Sequence, residues 1–276
     1  MTLLGPAEIR DLAALLDLQP TKKLGQNFVI DANTVRRIVR VADVAPGETV
    51  VEVGPGLGSL TLALLEAGAS VVAVEIDERL ARQLPVTVSQ LVPDARLTVI
   101  REDALRVTEL PHDPTVFVAN LPYNVSVPVL LHFMESFPTI SRGVVMVQAE
   151  VGERVAAGPG SKVYGAPSVK SAWYGSFSTA GKVSRQVFWP VPNVDSILVR
   201  FERGPEPGTE EERVATFALV DAAFGQRRKM LRQSLAGVLG DAATATARLE
   251  AAGIPPTARG EELTVEDYLR VVRALP

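Results

Sequence analysis

VVEVGPGLGSLT, residues 50–61, runs from a β-branched strand into three glycines spaced two apart, Gly54, Gly56 and Gly58, and then into a helical pattern. Glycines at such a junction let the backbone turn sharply and approach a ligand closely. The next apolar run, SVVAVEID (70–77), ends in Glu75, about twenty residues after the glycines. That is where an acid accepts hydrogen bonds from a ribose diol. The spacing is G-x-G-x-G, not the G-x-G-x-x-G of most dinucleotide sites. Read alone, the turn and its acid fit NAD, S-adenosylmethionine or another ribose-bearing ligand.

The pattern extends in both directions. SLTLALLEAG (59–68) has helical spacing and a glycine stop. DERLARQLPVTVSQ (77–90) opens on an Asp cap but contains Pro85, which predicts a kinked or short helix. RLTVIRED (96–103), TVFVAN (115–120) and RGVVMVQAE (142–150) read as further strands. SVPVLLHFMESF (126–137) reads as a helix with Ser126 as cap and Pro128 in its first turn. Strands alternating with helices predict a parallel sheet covered on both faces. KVSRQVFWPVPNVDSILVRFER (182–203) reads as two strands around a proline-rich turn, so the sheet is expected to end in an antiparallel pair. After the break GPEPG (204–208) the pattern is helical to residue 274. The expected organisation is an α/β domain over 1–203, preceded by a helical arm in which Ile9, Leu12 and Leu16 recur, and a small all-helical domain over 204–276.

Composition narrows the chemistry. The chain has 276 residues, 47% of them hydrophobic, with a net charge of −4. No cysteine is present, which excludes disulfides, thiolate metal sites and cysteine nucleophiles. Two histidines, His112 and His132, read as surface or packing residues, and no metal site is expected. No apolar run approaches the roughly 20 residues of a membrane span. The N-terminal residues carry early acids and no cleavage-type signal, so a cytoplasmic location is expected.

Two positions at strand ends carry the chemistry further. Asp103 closes the third strand run, where a carboxylate accepts from an exocyclic amine such as that of adenine, or caps the residues that follow. Asn120 ends the fourth, followed by Leu121, Pro122 and Tyr123. Pro122 restricts Leu121 to an extended conformation, which holds the Leu121 carbonyl and the Asn120 side-chain oxygen in set directions. Tyr123 adds a flat face. Two acceptors beside an aromatic ring suit a planar amine, its two N–H groups bonded and its ring stacked. Orientation and electrostatics then carry the reaction without a strong base.

Asn-Leu-Pro-Tyr after a GxGxG turn resembles the N6-adenine methyltransferases. The segments KKLGQNFVID (22–31), VEVGPGLGSLTLALLEAGASVVAVEID (51–77), EDAL (102–105), NLPYNVSVPVL (120–130), PGSKVYGAPSV (159–169), VFWPVPNVDSILV (187–199) and AFGQRRKMLRQSL (223–235) narrow the resemblance to the ribosomal RNA adenine dimethyltransferases, most closely those of the small subunit. It implies a Rossmann-like S-adenosylmethionine-dependent methyltransferase sheet with a small C-terminal all-helical domain, and S-adenosylhomocysteine as product. It implies Asn27, Val29, Gly54, Glu75, Asp103 and Asn120 as cofactor-binding residues. Asn120, Leu121, Pro122 and Tyr123 are implied as the catalytic turn, with Phe188 for the other face of the target base. The implied reaction places two methyl groups on N6 of each of two adjacent adenosines near the 3′ end of 16S rRNA in the assembling 30S subunit.

The acidic net charge departs from this basic family, but it is unevenly spread. Arg227, Arg228, Lys229 and Arg232 cluster on what reads as one helical stretch, and Lys22, Lys23, Arg36, Arg37 and Arg40 form a second basic region. Both are expected to meet RNA phosphates. Gln233 stands where the family pattern has Asn. A monomer is expected. The alternatives are a 23S rRNA adenine methyltransferase of the antibiotic-resistance type, an NAD-dependent oxidoreductase, which leaves Asn-Leu-Pro-Tyr without a role, and a non-catalytic RNA-binding assembly factor.

Overall fold

The computed structural model describes residues 3–18 and 27–274. The chain divides into two units, residues 1–152 with 178–203, and residues 153–177 with 204–276.

The strands are β1 (Phe28–Val29), β2 (Thr49–Val53), β3 (Ser70–Glu75), β4 (Leu97–Arg101), β5 (Val116–Asn120), β6 (Arg142–Gln148), β7 (Gly175–Val183), β8 (Phe188–Trp189) and β9 (Ser196–Arg203). Seven of them form one sheet in the order β4-β3-β2-β5-β6-β9-β7. β4, β3, β2, β5 and β6 are parallel, and β9 runs antiparallel to β6. The valine-rich runs of β2, β3, β5 and β6 are buried along almost their whole length, as a sheet covered on both faces requires. The chain moves outward from β2 to β3 and β4, then returns to the other side of β2 as β5 and β6. The order therefore reverses between β2 and β5, and ligands of open α/β sheets bind at the carboxyl ends of the strands at such a point.

The helices of this unit are α1 (Pro6–Leu15), α2 (Ala32–Val41), α3 (Ser59–Glu66), α4 (Glu78–Leu91) and α5 (Ser126–Ser136); α6 (Ala149–Val155) ends just past residue 152. Three expectations are corrected here. α4 is neither short nor ended by Pro85. Its Leu80, Ala81, Leu84 and Val88 are buried, and that packing outweighs the one hydrogen bond a proline removes. Ser126 is the first helical residue of α5, not its cap; Val125 occupies that place without a side-chain hydrogen bond. In the stretch 182–203, only β9 is a full strand of the large sheet. β7 starts earlier, at Gly175, and Phe188–Trp189 instead pair antiparallel with Phe28–Val29 in a separate ribbon.

The second unit contains α7 (Ala166–Tyr174), α8 (Glu210–Gly225), α9 (Leu231–Ser234), α10 (Ala236–Leu239), α11 (Ala242–Ala251) and α12 (Val265–Arg273). α8 and α12 open on reciprocal caps, Thr209 with Glu212 and Thr264 with Asp267. Residues 153–177, expected within the first domain, cluster here because Trp173 and Tyr174 are buried edge-on against Phe217 of α8 at 6.0 and 6.3 Å. Among the described residues no helix is long and apolar enough to cross a membrane.

Candidate active site

The registers of β2, β3 and β5 stack side chains in rows on one face of the sheet. Glu52 lies beside Ala73 and Val118. One residue pair further, at the carboxyl edge, Gly54, Glu75 and Asn120 come together. They wall a cavity of about 240 Å³ that also takes in Asn27, Val29, Asp103 and the Leu121–Tyr123 turn.

The glycine turn forms because its backbone enters the left-handed region. Gly56 has φ +57°, and a Cβ there would lie 2.9 Å from the Phe28 ring. At Gly54, φ +67°, a Cβ would stand 3.9 Å from the Asn120 carbonyl oxygen and from Pro122 Cδ, in ordinary contact with the Asn120–Tyr123 turn, so the left-handed backbone rather than crowding calls for glycine there. The Gly56 N–H donates to Glu75 Oε2 at 3.2 Å and the Asp77 N–H to Glu75 Oε1 at 2.9 Å. These bonds hold the carboxylate plane. Burial pushes the Glu75 carboxyl above the usual carboxylate range, while those backbone donors pull it down.

Asp103 Oδ1 accepts the Leu105 N–H at 2.9 Å, closing a turn rather than capping a helix. Asn120 donates through Nδ2 to the Asn27 carbonyl at 3.0 Å, so Oδ1 is the acceptor end of the amide. The Leu121 N–H is held by the Met146 carbonyl at 3.1 Å. Tyr123 is half-buried, its phenol 2.7 Å from Ser196 Oγ. Burial pushes that phenol up, against the hydrogen bond to Ser196. Val29 lies in the β1–β8 ribbon, its carbonyl accepting from Ser59 Oγ at 2.7 Å.

Phe188 is not in the cavity wall. The ribbon register pairs it with Val29 and turns it, 0% exposed, into the apolar core of the unit. Its neighbour Trp189 stacks on Phe28 with ring centroids 6.3 Å apart. Conversely, Ile76 (57% exposed) and Leu105 (38% exposed) present apolar surface to the cavity, and the sequence pattern does not single them out. Each follows closely on a strand-end acid, which is a usable signal. Glu52 also escapes the motif reading, although a charge inside the valine run VVEV is visible by eye.

The basic residues separate into paired and exposed groups. α8 ends at Gly225, so Arg227–Lys229 lie in a turn and only Arg232 is helical, contrary to the single helical stretch expected. Arg227 pairs with Glu261 at 2.8 Å and donates to the Lys162 carbonyl at 2.9 Å. Arg228, Lys229 and Arg232 are exposed. On α2, Arg36 pairs with Glu66 through two hydrogen bonds and Arg37 donates to the Ala180 and Lys182 carbonyls, while Arg40 is exposed. Lys22 and Lys23 lie outside the described residues. His112 is a surface residue, and His132 is a packing residue bonded to the Val107 carbonyl at 2.8 Å.

Comparison with known proteins bears on the whole chain. The family model for "Ribosomal RNA adenine dimethylase" matches residues 18–275. The chain is 73% identical to the ribosomal RNA small subunit methyltransferase A of Leifsonia xyli, over 98% of each chain. It is 61% identical to the protein of that name from Streptomyces coelicolor, over 98% of this chain and 96% of that one. Among solved structures, the 23S rRNA methyltransferase ErmE superimposes with a TM-score of 0.66 at 28% identity, over 90% of this chain and 99% of its own. A dimethyladenosine transferase from Plasmodium falciparum, at 22% identity, shares the fold with a TM-score of 0.74, over 89% of this chain and 96% of its own.

Proposed function

The chain belongs to the ribosomal RNA adenine dimethylase family, and from that premise we propose how its residues divide the work. It is a 16S rRNA adenine N6-dimethyltransferase. Its substrate is the pair of adjacent adenosines near the 3′ end of that RNA, met in the assembling small subunit in the cytoplasm, with the protein acting as a monomer. The carrying observation is the convergence of the Asn120–Tyr123 turn with the Glu75 and Asp103 carboxylates in one cavity.

The cavity fits S-adenosylmethionine. A carboxylate anchored by two backbone N–H groups suits a ribose diol, and the side-chain-free Gly54 in the cavity wall suits a chain passing close to the backbone. Glu75 would take the ribose hydroxyls, Asp103 the adenine amine, and Ile76 and Leu105 the faces of that ring. Asn27 and Val29 would wall the site from the N-terminal side. The bound cofactor supplies an electrophilic methyl group on a positively charged sulfonium. Asn120 Oδ1 and the Leu121 carbonyl accept the two N–H groups of the target amine and draw its lone pair out of the ring. Tyr123 stacks on the base. The surplus proton passes to water once the new C–N bond has made the nitrogen cationic, so no strong base is required.

RNA phosphates would bind the second unit through Arg228, Lys229 and Arg232 and the first through Arg40. Arg36, Arg37 and Arg227 already have partners within the protein. The deciding experiment incubates the protein, labelled S-adenosylmethionine and methyl-free small or large subunits, followed by mass spectrometry of the RNA. Dimethyladenosine in the small-subunit RNA alone is expected. Its appearance in large-subunit RNA would favour the 23S reading, and unmethylated RNA would leave only an assembly-factor role.

A further inference from the structure

Glu52 stands in the middle of β2, the central parallel strand, with Ala73 and Val118 on either side. Its side chain is 1% exposed and lines the cavity. Oε2 accepts from Thr61 Oγ1 of α3 at 2.6 Å; Oε1 has no hydrogen-bond donor among the described residues. A buried carboxylate with one unpaired oxygen is costly and calls for either a proton or a positive partner. The described wall offers no such partner. Four carboxylates, Glu52, Glu75, Glu102 and Asp103, line the cavity, and among the described lining residues there is no Lys, Arg or His.

We infer that Glu52 is the charge-reading group of the cavity: it holds a proton when the cavity is empty and releases it to solvent when a cationic ligand enters, leaving a carboxylate to face the positive charge. This rests on the reading of the cavity as an S-adenosylmethionine site. The donor carries a sulfonium and the product a neutral thioether, so the two differ by one positive charge. Glu52 therefore favours the donor, and it takes its proton back when donor gives way to product.

The surroundings agree with this assignment. Burial pushes the Glu52 carboxyl up to about 8, the Thr61 hydroxyl pulls it down, and the Glu75 carboxyl adds to the rise. Other charged groups do not compete for the role. From β3 comes Glu75, and from beyond β4 come Glu102 and Asp103. From the turn after β5 comes the Tyr123 phenol, which burial holds protonated. β5 itself and the β1 segment offer none, and the one acid of α3, Glu66, is paired with Arg36. Ionising Glu52 costs more as pH falls, so the preference for donor over product rises with pH and levels off above about 8.

Calorimetric titration tests this with S-adenosylmethionine and S-adenosylhomocysteine as probes, in phosphate and in Tris, whose ionisation heats differ. At about pH 7 the wild-type protein is expected to release close to one proton more with the donor than with the product, and at about pH 9.5 the excess vanishes. In Glu52→Gln, which keeps the shape and the Thr61 contact, the excess is absent at both pH values and the donor preference falls about tenfold. Comparing variant with wild type removes protons carried by the ligands' own amino group and by Glu75. An equal proton count for both ligands in the wild type, or an excess surviving in Glu52→Gln, overturns the inference. Should the variant fail to fold, the wild-type comparison at the two pH values decides alone. Failure of both ligands to bind the wild type would instead overturn the cofactor reading itself.

Discussion

Tyr123 and Ser196 share a hydrogen bond of 2.7 Å, and it ties the Asn120–Tyr123 turn to the antiparallel end of the sheet. Ser196 is fully buried at the start of β9, opposite Gln148 of β6. The ring proposed to stack on the target base is thus oriented from a strand about seventy residues away in sequence, through a contact worth roughly 0.5–1.5 kcal/mol.

That contact makes Ser196 a positioning residue with a measurable signature. Tyr123→Phe keeps the stacking face and loses the anchor, so kcat is expected to fall about three- to tenfold with S-adenosylhomocysteine affinity unchanged. Ser196→Ala leaves a half-buried phenol without its partner and should do at least as much. Adding it to Tyr123→Phe should have little further effect, and Ser196→Thr should restore activity. Additive losses in the double variant would show that the two residues act separately.

Asn120 bonds the Asn27 carbonyl on one side and is proposed to bond the target amine on the other. Asn120→Ala removes an acceptor that acts as charge develops on the nitrogen. Single-turnover methylation is expected to slow by about 10²–10³-fold, with donor affinity falling far less. Near-normal single turnover would remove Asn120 from the reaction.

Glu75 accepts from two backbone donors and is proposed to accept from ribose as well. Glu75→Gln points an NH2 group at one of those N–H donors, which twists the side chain out of place. The Kd for S-adenosylhomocysteine is expected to rise about 10–100-fold, from the loss of hydrogen bonds to a charged acceptor. Unchanged affinity by calorimetry would place the ribose elsewhere.

Much of this architecture is legible in the chain because it is local. The valine-rich runs around residues 50, 72, 117 and 145 announce doubly covered strands, and the glycine turn announces the crevice at their ends. Where sequence and structure part, distant partners are the cause. Pro85 predicts a kinked or short helix, but the buried face of α4 carries the helix on to Leu91. Phe188 carries an aromatic side chain in a promising motif, yet its pairing with Val29 decides which way it faces, and a two-residue ribbon has no periodicity to read. Residues 153–177 fall on the other side of the expected boundary because Trp173 finds its partner in α8, across the sheet-forming stretch 178–203. Glu52 is visible as an acid among valines, but its solitude emerges only with the neighbouring side chains in place.

The basic turn after α8 separates exposed cations, proposed to meet RNA, from one that is paired within the protein. Arg228 and Arg232 are exposed, whereas Arg227 is engaged with Glu261 and a carbonyl. Charge reversal at Arg228 and Arg232 should raise the RNA KM and flatten its dependence on salt by about 0.7–0.9 in slope for each phosphate no longer neutralised. Arg227→Ala should leave the salt slope nearly unchanged and cost no more than about 1 kcal/mol of stability, since its ion pair is partly exposed. Equal effects on the salt slope from all three arginines would show that the Glu261 pair opens on RNA binding.

The buried carboxyl of Glu52 also makes a prediction about the ligand-free protein. Its folded value of about 8 lies above the ordinary carboxylate value of 4.5. Between those limits the folded state holds a proton that the unfolded chain has lost, so the stabilisation is fully present below the lower value and is lost as pH rises through the upper one. Glu75 is displaced in the same direction for the same reason and adds to the trend. Glu52→Gln removes the titration, so its melting temperature should match the wild type near pH 4 and exceed it near pH 9. The difference there should be on the order of 3 kcal/mol, at about 1.4 kcal/mol for each tenfold change in proton affinity and reduced for local relaxation. Thermal melts of both proteins across that range, without ligand, test the sign directly. A variant less stable than wild type at alkaline pH would mean that Glu52 is content as an anion in the empty cavity. Saturating S-adenosylmethionine should narrow the difference, because the carboxylate then faces a positive charge that the glutamine cannot match.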